Sequence, residues 1–289
     1  MPIVNPVTFI KKAKEIKAAI PAFNIHTLEM LQAVVEVASE TKSPVIIQTS
    51  KSTIDHIGLP FIVENVKIAS REYNVPIALH LDHCTDYNIV IKCIREGYSS
   101  VMVDGSMLKY KDNVSFVREV VKVAKAVGVA VEGEIGRIQG TEDAINIDDN
   151  DENLTLPSEA KKFAEDTGLD TLAVAIGTAH GVYKGEPKLD FERLKNIEKK
   201  VSVPLVLHGA SGVSEKDLKK TIKRGIAKFN IATDLKVPMV EAIKDFFKEN
   251  PEGYDPRKYL GRGKAVVKGV IKQKIKVCGV YGLLDKLEV

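Results

Sequence analysis

The stretch 20–49, IPAFNIHTLEMLQAVVEVASETKSPVIIQT, contains one complete unit of the predicted fold. It begins and ends with short apolar segments, 20–24 and 44–49, whose length and composition are typical of buried strands. Between them, residues 28–40 carry apolar side chains at the three- and four-residue spacing of one buried helix face. A strand, a helix and a second strand in this order indicate a βαβ unit of a parallel sheet.

The same alternation continues along the whole chain. The predicted strands are 20–24, 44–49, 76–81, 100–103, 129–134, 171–176, 204–207 and 227–231. Eight strands, each followed by a helix, predict an α/β fold in which residues 1–289 form a single (β/α)8 TIM barrel. Predicted helices at 6–19 and 257–277 lie outside the eight units, as an N-terminal helix and a C-terminal helical extension. An open doubly wound sheet is the alternative, but it usually carries GxGxxG after its first strand, where this chain has FNIHTLEM.

Composition excludes several classes of protein. The 289 residues include 42 Lys and Arg against 39 Asp and Glu, interleaved along the chain, so no nucleic-acid-binding surface is expected. No apolar run reaches the roughly 20 residues of a membrane span, and residues 1–17 lack the apolar centre of a signal peptide. We therefore expect a cytoplasmic protein without a membrane partner. Cys84, Cys93 and Cys278 fit neither a disulfide framework nor a CxxC metal pair, and are predicted to be reduced thiols.

Polar residues collect where the predicted strands end, and in a closed barrel these positions share one opening. They are Asn24, His26, Thr49, Ser50, Asp82, His83, Asp104, Glu132, Glu134, His180, His208, Asn230 and Thr233. Three of them, His83, His180 and His208, follow the third, sixth and seventh strands. A catalytic zinc takes three protein ligands and keeps one open position, so these histidines predict a zinc site. The other histidines are interpreted as structural hydrogen-bonding residues: His26, His56 in a loop, and His80.

Glycine-rich turns follow the sixth and seventh predicted strands, in AIGTAHG at 175–181 and HGASG at 208–212. Their backbone N–H groups could bind a phosphate, which barrel enzymes often hold after the last two strands. Simple tight turns are the alternative interpretation.

Two acidic residues near the fifth strand receive different interpretations. Glu142 lies in GRIQGTED at 136–143, a glycine-containing loop that could close over a substrate, which makes it a candidate for proton transfer. For Glu132 an ion pair with a Lys or Arg is the preferred interpretation.

Seven blocks of sequence stand in a familiar order and spacing. They are LDHC at 81–84, VDGS at 103–106, GRIQGTED at 136–143, AIGTAHGVYKGEP at 175–187, VLHGASG at 206–212, FNIATD at 229–234 and DPRKY at 255–259. With these blocks the chain resembles, over almost its whole length, the class II, zinc-dependent ketose-bisphosphate aldolases. PAFNIH at 21–26, GTAHG, HGASG and ATDLK look most like the tagatose-1,6-bisphosphate branch, and KGEP is also similar to the fructose branch.

The resemblance implies roles for the central residues. By it, His83, His180 and His208 bind a catalytic zinc, and Asp82 donates and accepts the proton at the aldehyde oxygen. Glu142 matches the loop acid that handles the proton on the dihydroxyacetone phosphate carbon.

The resemblance also implies metal and substrate contacts around this centre. Asp104 and Glu134 match positions that can hold a second divalent metal or a displaced zinc, and a monovalent cation, Na⁺ or K⁺, is often nearby. Ser50 and Arg257 match contacts to the distal half of the sugar, with the arginine reaching in from a neighbouring subunit. Other substrate contacts, most of them to dihydroxyacetone phosphate, are predicted for Asn24, Gly181, Gly209, Ala210, Ser211, Asn230, Ile231, Ala232 and Thr233.

The expected reaction is reversible, zinc-dependent aldol cleavage of tagatose 1,6-bisphosphate, with fructose 1,6-bisphosphate as the alternative substrate. A homodimer or homotetramer is expected, and an accessory subunit is conceivable. TSKSTIDHIG at 49–58 and Gln139 depart from the tagatose branch and bear on substrate preference, and Lys51 is an alternative contact to the distal phosphate. The rival hypotheses are a Schiff-base aldolase, for which Lys228 is the candidate lysine, and a phosphosugar-binding barrel without catalysis.

Overall fold

The computed structural model describes residues 3–142, 145–147, 154–183 and 185–286. The strands in chain order are β1 Ile20–Asn24, β2 Val45–Thr49, β3 Ile77–Cys84, β4 Ser100–Val103, β5 Ala130–Ile135, β6 Gln139–Glu142, β7 Ile145–Ile147, β8 Thr171–Val174, β9 Ala179–His180, β10 Leu205–Leu207 and β11 Ile226–Ile231. Eight of them close into a parallel barrel in the order β1-β2-β3-β4-β5-β8-β10-β11, with β11 pairing back to β1. The predicted TIM barrel is therefore confirmed.

The remaining strands, β6, β7 and β9, form a small separate sheet that the sequence did not predict. The segment 136–143 was expected to be a loop, and this was wrong for residues 139–142, because they form β6, which pairs antiparallel with β7 and parallel with β9. Gly140 makes the second pairing possible. Its φ is +93°, and a Cβ there would lie 2.3 Å from the carbonyl oxygen of His180.

Helices surround the barrel. They are α1 Val7–Glu15, α2 Leu28–Glu40, α3 Lys51–Ile57, α4 Leu59–Glu72, α5 Tyr87–Glu96, α6 Tyr110–Ala126, α7 Pro157–Thr167, α8 Phe191–Glu198, α9 Glu215–Ile222, α10 Thr233–Glu249 and α11 Pro256–Cys278, followed by a 3₁₀ turn at Leu283–Lys286. The N-terminal helix is shorter than the predicted 6–19, because the chain reverses at Lys17, whose φ is +56°. His56, expected in a loop, lies in α3.

The terminal helices pack onto the barrel units. The C-terminal helix α11 contacts α10 and α2, where Lys264 and Lys268 pair with Glu36, and α1 contacts β1 and β11. In the described part of the chain, no helix combines the length and apolarity needed to cross a membrane. All three cysteines are buried free thiols, as expected, and burial raises the pKa of Cys93 and of Cys278 to about 12.

Candidate active site

Three histidines meet at the mouth of the barrel, and we call His83, His180 and His208 the histidine cluster. One ring nitrogen from each lies within 4.8 Å of the others. The His83 ring meets the other two edge to face, with centroids 4.5 Å from His208 and 5.0 Å from His180. His208 is fully buried, while His180 is partly exposed. The cluster thus has a buried side and a side that opens toward solvent, as a site that admits a ligand requires.

An irregularity in β3 brings two adjacent side chains into the mouth. Side chains of a regular strand alternate between its faces, so Asp82 and His83 would ordinarily point apart. Here the β3–β4 register shifts between Leu81 and Cys84, and His83 has φ +41°, in the left-handed region that residues other than glycine seldom adopt. Both side chains consequently contribute to the same site.

Carboxylates fix the orientation of two of the rings. His83 Nδ1 is 2.7 Å from Asp104 Oδ2, and His208 Nε2 is 2.9 Å from Glu132 Oε1. If each ring donates its N–H to its carboxylate, His83 Nε2 and His208 Nδ1 direct lone pairs at each other across 2.6 Å. Two lone pairs at that distance repel, so a proton or a metal cation must be shared there. The donor set therefore fits a metal ion that prefers imidazole ligands.

Electrostatics favour the ligand form of these groups. Burial lowers the pKa of His208 below its ordinary value, and His83 lowers it further, so the neutral imidazole is favoured. Burial alone would raise the pKa of Asp104, but the hydrogen bond and charge of His83 bring it well below the usual range. The second predicted acid, Glu134, has Oε2 3.9 Å from His208 Nδ1. Asp104 and Glu134 therefore both border the histidine cluster.

Beneath the histidines lies a group that we call the ionic cluster, formed by Glu132, Lys228 and His80. Lys228 Nζ lies 2.9 and 3.1 Å from the two oxygens of Glu132 and 3.5 Å from His80 Nε2, and all three residues are about 1% exposed. Burial would raise the pKa of Glu132, but Lys228 and His208 hold it well below its ordinary value. The predicted ion pair of Glu132 is confirmed, and its partner is Lys228.

On the other side of the mouth, Asp82 is surrounded by amide side chains, and we call Asn24, Gln48 and Asn230 the amide cluster. Asn24 Nδ2 and Gln48 Nε2 donate to Asp82 Oδ2 at 2.8 and 3.1 Å, and Asn230 Nδ2 donates to Oδ1 at 2.9 Å. Gln48 also donates to Asn24 Oδ1 at 2.7 Å. Asp82 is fully buried and its carboxylate is held by three N–H donors from three different strands.

The predicted phosphate-binding loops lie beside the histidine cluster. Gly181, Gly209 and Gly212 all have positive φ, between +62° and +88°. Ser211 Oγ accepts hydrogen bonds from the backbone N–H groups of Ala232 and Asp234, at 3.2 and 3.3 Å. This connects the loop after β10 to the start of α10. The predicted contacts in this group are Gly181, Gly209, Ala210, Ser211, Ile231, Ala232 and Thr233.

Two predicted site residues make their described side-chain contacts away from the histidine cluster, and the side chain of a third is not described. Ser50 hydrogen-bonds Ser52 and Thr53 instead. Arg257 is 89% exposed and pairs with Asp255 at the start of α11. Glu142 ends β6, but its side chain lies outside the part of the chain that the structure describes.

The sequence did not single out two residues that belong to the site. Gln48 is a polar residue that follows three apolar ones in VIIQT, one position before the strand ends, and that placement was a usable signal. Tyr183, whose hydroxyl bonds Ala179 and Gly209, lies seven positions after the end of the predicted strand 171–176 and gave no such signal.

The chain is similar to known proteins over almost its whole length. A family model described as class II fructose-bisphosphate aldolase matches residues 4–283. The crystal structure of the YdjI aldolase from Escherichia coli K12 is 33% identical, with a TM-score of 0.86 over 98% of this chain and 99% of that one. The fructose-bisphosphate aldolase (Fba) of Campylobacter jejuni is 25% identical, with a TM-score of 0.82 over 97% of each chain.

Proposed function

This chain belongs to the class II fructose-bisphosphate aldolase family, whose members are aldehyde-lyases acting on ketose bisphosphates, and on that premise we propose tagatose 1,6-bisphosphate as its substrate. Cleavage gives dihydroxyacetone phosphate and glyceraldehyde 3-phosphate, reversibly. The observation that carries aldol cleavage is the histidine cluster beside a buried carboxylate, Asp82, at one barrel mouth. The choice of tagatose is supported by the likeness of PAFNIH, GTAHG, HGASG and ATDLK to that branch. Fructose 1,6-bisphosphate, which differs in configuration at C4, is the alternative substrate. Residues 1–289 are proposed to act as one domain.

The metal is proposed to be zinc, held by His83, His180 and His208. The distances within 4.8 Å, and the carboxylates that orient two of the three rings, support this choice. When bound, zinc supplies positive charge that stabilises the negative charge developing on the dihydroxyacetone phosphate half during cleavage. Asp104 and Glu134 border the cluster and are proposed to hold a second divalent metal.

Asp82 is proposed to take the proton of the C4 hydroxyl as the C3–C4 bond breaks, and to return it in the condensation direction. A general base works only when it is held within hydrogen-bond reach of its proton. The amide cluster supports this role because it fixes both carboxylate oxygens of Asp82 from three strands.

Glu142 is proposed to protonate C3 of the dihydroxyacetone phosphate half after cleavage. The pairing of β6 with β9 supports this, because β6 ends at Glu142 and its Gly140 lies in register with His180. The backbone that carries Glu142 is therefore tied to the backbone that carries one of the histidines.

The remaining contacts are proposed on the basis of the family. Gly181, Gly209, Ser211 and their neighbours bind the dihydroxyacetone phosphate end, with Na⁺ or K⁺ nearby. Ser50 contacts the distal half, and Arg257, exposed at the start of α11, reaches the site of a neighbouring subunit in a homodimer or homotetramer. A cytoplasmic location and an accessory subunit are proposed on the same basis.

The Schiff-base alternative is disfavoured by the surroundings of Lys228. A lysine nucleophile must present a neutral amine to the substrate. Lys228 is instead buried, with Nζ within 3.1 Å of both oxygens of Glu132. Borohydride reduction in the presence of substrate is expected to leave the protein unmodified.

The decisive experiment compares cleavage of tagatose and fructose 1,6-bisphosphates before EDTA, after EDTA and after zinc is added back. Activity lost with EDTA and restored by zinc is expected, with a higher kcat/KM for the tagatose compound. His180→Ala should lose zinc and activity, whereas His56→Ala, an exposed histidine in α3, should keep both. Cleavage that survives EDTA would overturn the metal mechanism, and a higher kcat/KM for the fructose compound would reverse the substrate assignment.

A further inference from the structure

Tyr183 joins the two loops that carry His180 and His208. Its hydroxyl accepts a hydrogen bond from the backbone N–H of Ala179 at 2.8 Å and donates one to the carbonyl oxygen of Gly209 at 2.8 Å. Ala179 is the residue before His180, and Gly209 is the residue after His208. One side-chain oxygen therefore connects the immediate neighbours of two residues in the histidine cluster.

The two loops are in close contact at this point. A Cβ on Gly209 would lie 2.4 Å from the carbonyl oxygen of Ala179, so only glycine allows the backbones to approach this far. A Cβ on Gly212 would lie 2.9 Å from the Tyr183 ring, so the ring packs against the second loop as well. The hydroxyl and the ring thus set both the spacing and the orientation of the loops.

We propose that Tyr183 is a positioning residue that sets the separation of His180 and His208, and with it the metal affinity of the histidine cluster. The inference rests on the proposed function, because it takes the cluster to be the metal site. The proposed role requires no contact of Tyr183 with metal or substrate. Its effect passes through the backbone of Ala179 and Gly209.

The chemistry of the hydroxyl suits this role. Burial raises the pKa of Tyr183 to about 12, so the hydroxyl stays protonated at neutral pH and can donate to Gly209 while accepting from Ala179. Phenylalanine keeps the ring and its packing against Gly212 but leaves a backbone N–H and a carbonyl without this partner. The strand that carries His180, β9, is only two residues long.

The test is zinc affinity of the full-length, metal-stripped protein, measured by competition with a chromogenic chelator, for the parent, Tyr183→Phe and Tyr110→Phe. Tyr183→Phe is expected to bind zinc about tenfold more weakly, at the low end of the 10–100-fold range typical of outer partners of metal ligands. Tyr110→Phe is the matched control, because it also loses a hydroxyl hydrogen bond, to Asp166 at the surface, and is expected to bind zinc like the parent.

Cobalt(II) provides a readout that a general loss of stability would not change. At saturating cobalt, the visible absorption bands report the coordination geometry, and those of Tyr183→Phe are expected to differ from the parent's while those of Tyr110→Phe do not. Parent-like zinc affinity in Tyr183→Phe, or an equal loss in Tyr110→Phe, would overturn the role of Tyr183.

A further variant, His83→Ala, separates the failure of this inference from that of the proposed function. Its zinc affinity should fall far below that of Tyr183→Phe. If His83→Ala binds zinc like the parent, the metal site itself is wrong and the inference falls with it. If His83→Ala loses zinc while Tyr183→Phe does not, only the role of Tyr183 is overturned.

Discussion

The amide cluster and the ionic cluster are both buried at the same barrel mouth, yet they hold their central carboxylates in opposite ways. Asp82 is surrounded by the neutral amides of Asn24, Gln48 and Asn230, whereas Glu132 is paired with the charged Lys228. Neutral donors let a carboxylate exchange a proton without leaving an opposite charge unpaired in the interior. A buried ion pair does the reverse and keeps its carboxylate charged. The carboxylate proposed to move protons is thus held by amide dipoles, and the carboxylate that orients His208, a proposed metal ligand, is held by a charge.

The strongest loss of activity is expected when Asp82, the carboxylate held by the amide cluster, can no longer exchange a proton. Asp82→Asn keeps the size of the side chain but should lower kcat by about 10³–10⁴-fold, near the upper end for general acid–base catalysis. Zinc content, measured by atomic absorption, should be unchanged. Asp112→Asn, on the first turn of α6, is the matched control. Parent-like turnover in Asp82→Asn would remove Asp82 from the mechanism.

A loss of stability is expected when the ion pair of the ionic cluster is broken. Lys228→Met should lower the free energy of unfolding by about 3–5 kcal/mol, because it leaves the buried Glu132 carboxylate without its lysine partner. Urea denaturation of the metal-free protein measures this. Adding Glu132→Gln to Lys228→Met should recover part of the loss, since it removes the unpaired charge. A Lys228→Met protein as stable as the parent would show that the Glu132–Lys228 pair makes no net contribution to the free energy of unfolding.

Two buried histidines, His80 and His208, should also make the stability of the metal-free protein depend on pH. Burial, and then Lys228, hold the pKa of His80 well below its ordinary value, and burial lowers that of His208. The unfolded chain then binds protons that the folded one does not, so stability falls as pH drops below about 6.5, by about 1.4 kcal/mol per pH unit for each histidine. His80→Gln should remove about half of this slope. Urea titrations between pH 7 and 5 with a flat profile would contradict it.

The smallest effect is expected from a single amide. Gln48→Leu removes one of the three donors to Asp82 and should lower kcat about tenfold, because the remaining amides still hold the carboxylate. Gln273→Leu, whose side chain bonds Glu215 at the surface, is the control and should keep the parent kcat. A loss in Gln48→Leu as large as that in Asp82→Asn would show that the three amides act as one unit.

The sequence predicted the barrel and the convergence of its histidines because both follow from simple periodicities. The apolar segments of strand length alternate with helical ones, and closure of the barrel then places His83, His180 and His208 at one mouth. The ion pair of Glu132 was expected in kind. Its partner, Lys228, lies 96 positions away along the chain, and only the three-dimensional structure identifies it.

Other features depend on tertiary contacts that a pattern does not record. The β6–β7–β9 sheet is built from segments of only two to four residues, which are too short to show a strand pattern in the sequence. The register shift in β3 has no local sequence signal, because LDHC shows neither glycine nor proline. The role proposed for Tyr183 depends on its hydrogen bonds to the backbone of Ala179 and Gly209, which neither its residue type nor its position in the sequence predicts.

The backbone at His83 has a consequence for laboratory evolution. A non-glycine residue with φ +41° carries a strain of about 1–3 kcal/mol, which glycine at this position would relieve. His83→Gly should relieve this strain, but it also removes one ring of the histidine cluster and leaves the buried Asp104 carboxylate without its His83 partner. In a library screened for heat resistance without metal these two effects oppose each other at position 83. Screening in the presence of zinc is expected to retain His83, because a ligand that binds only the folded protein stabilises it.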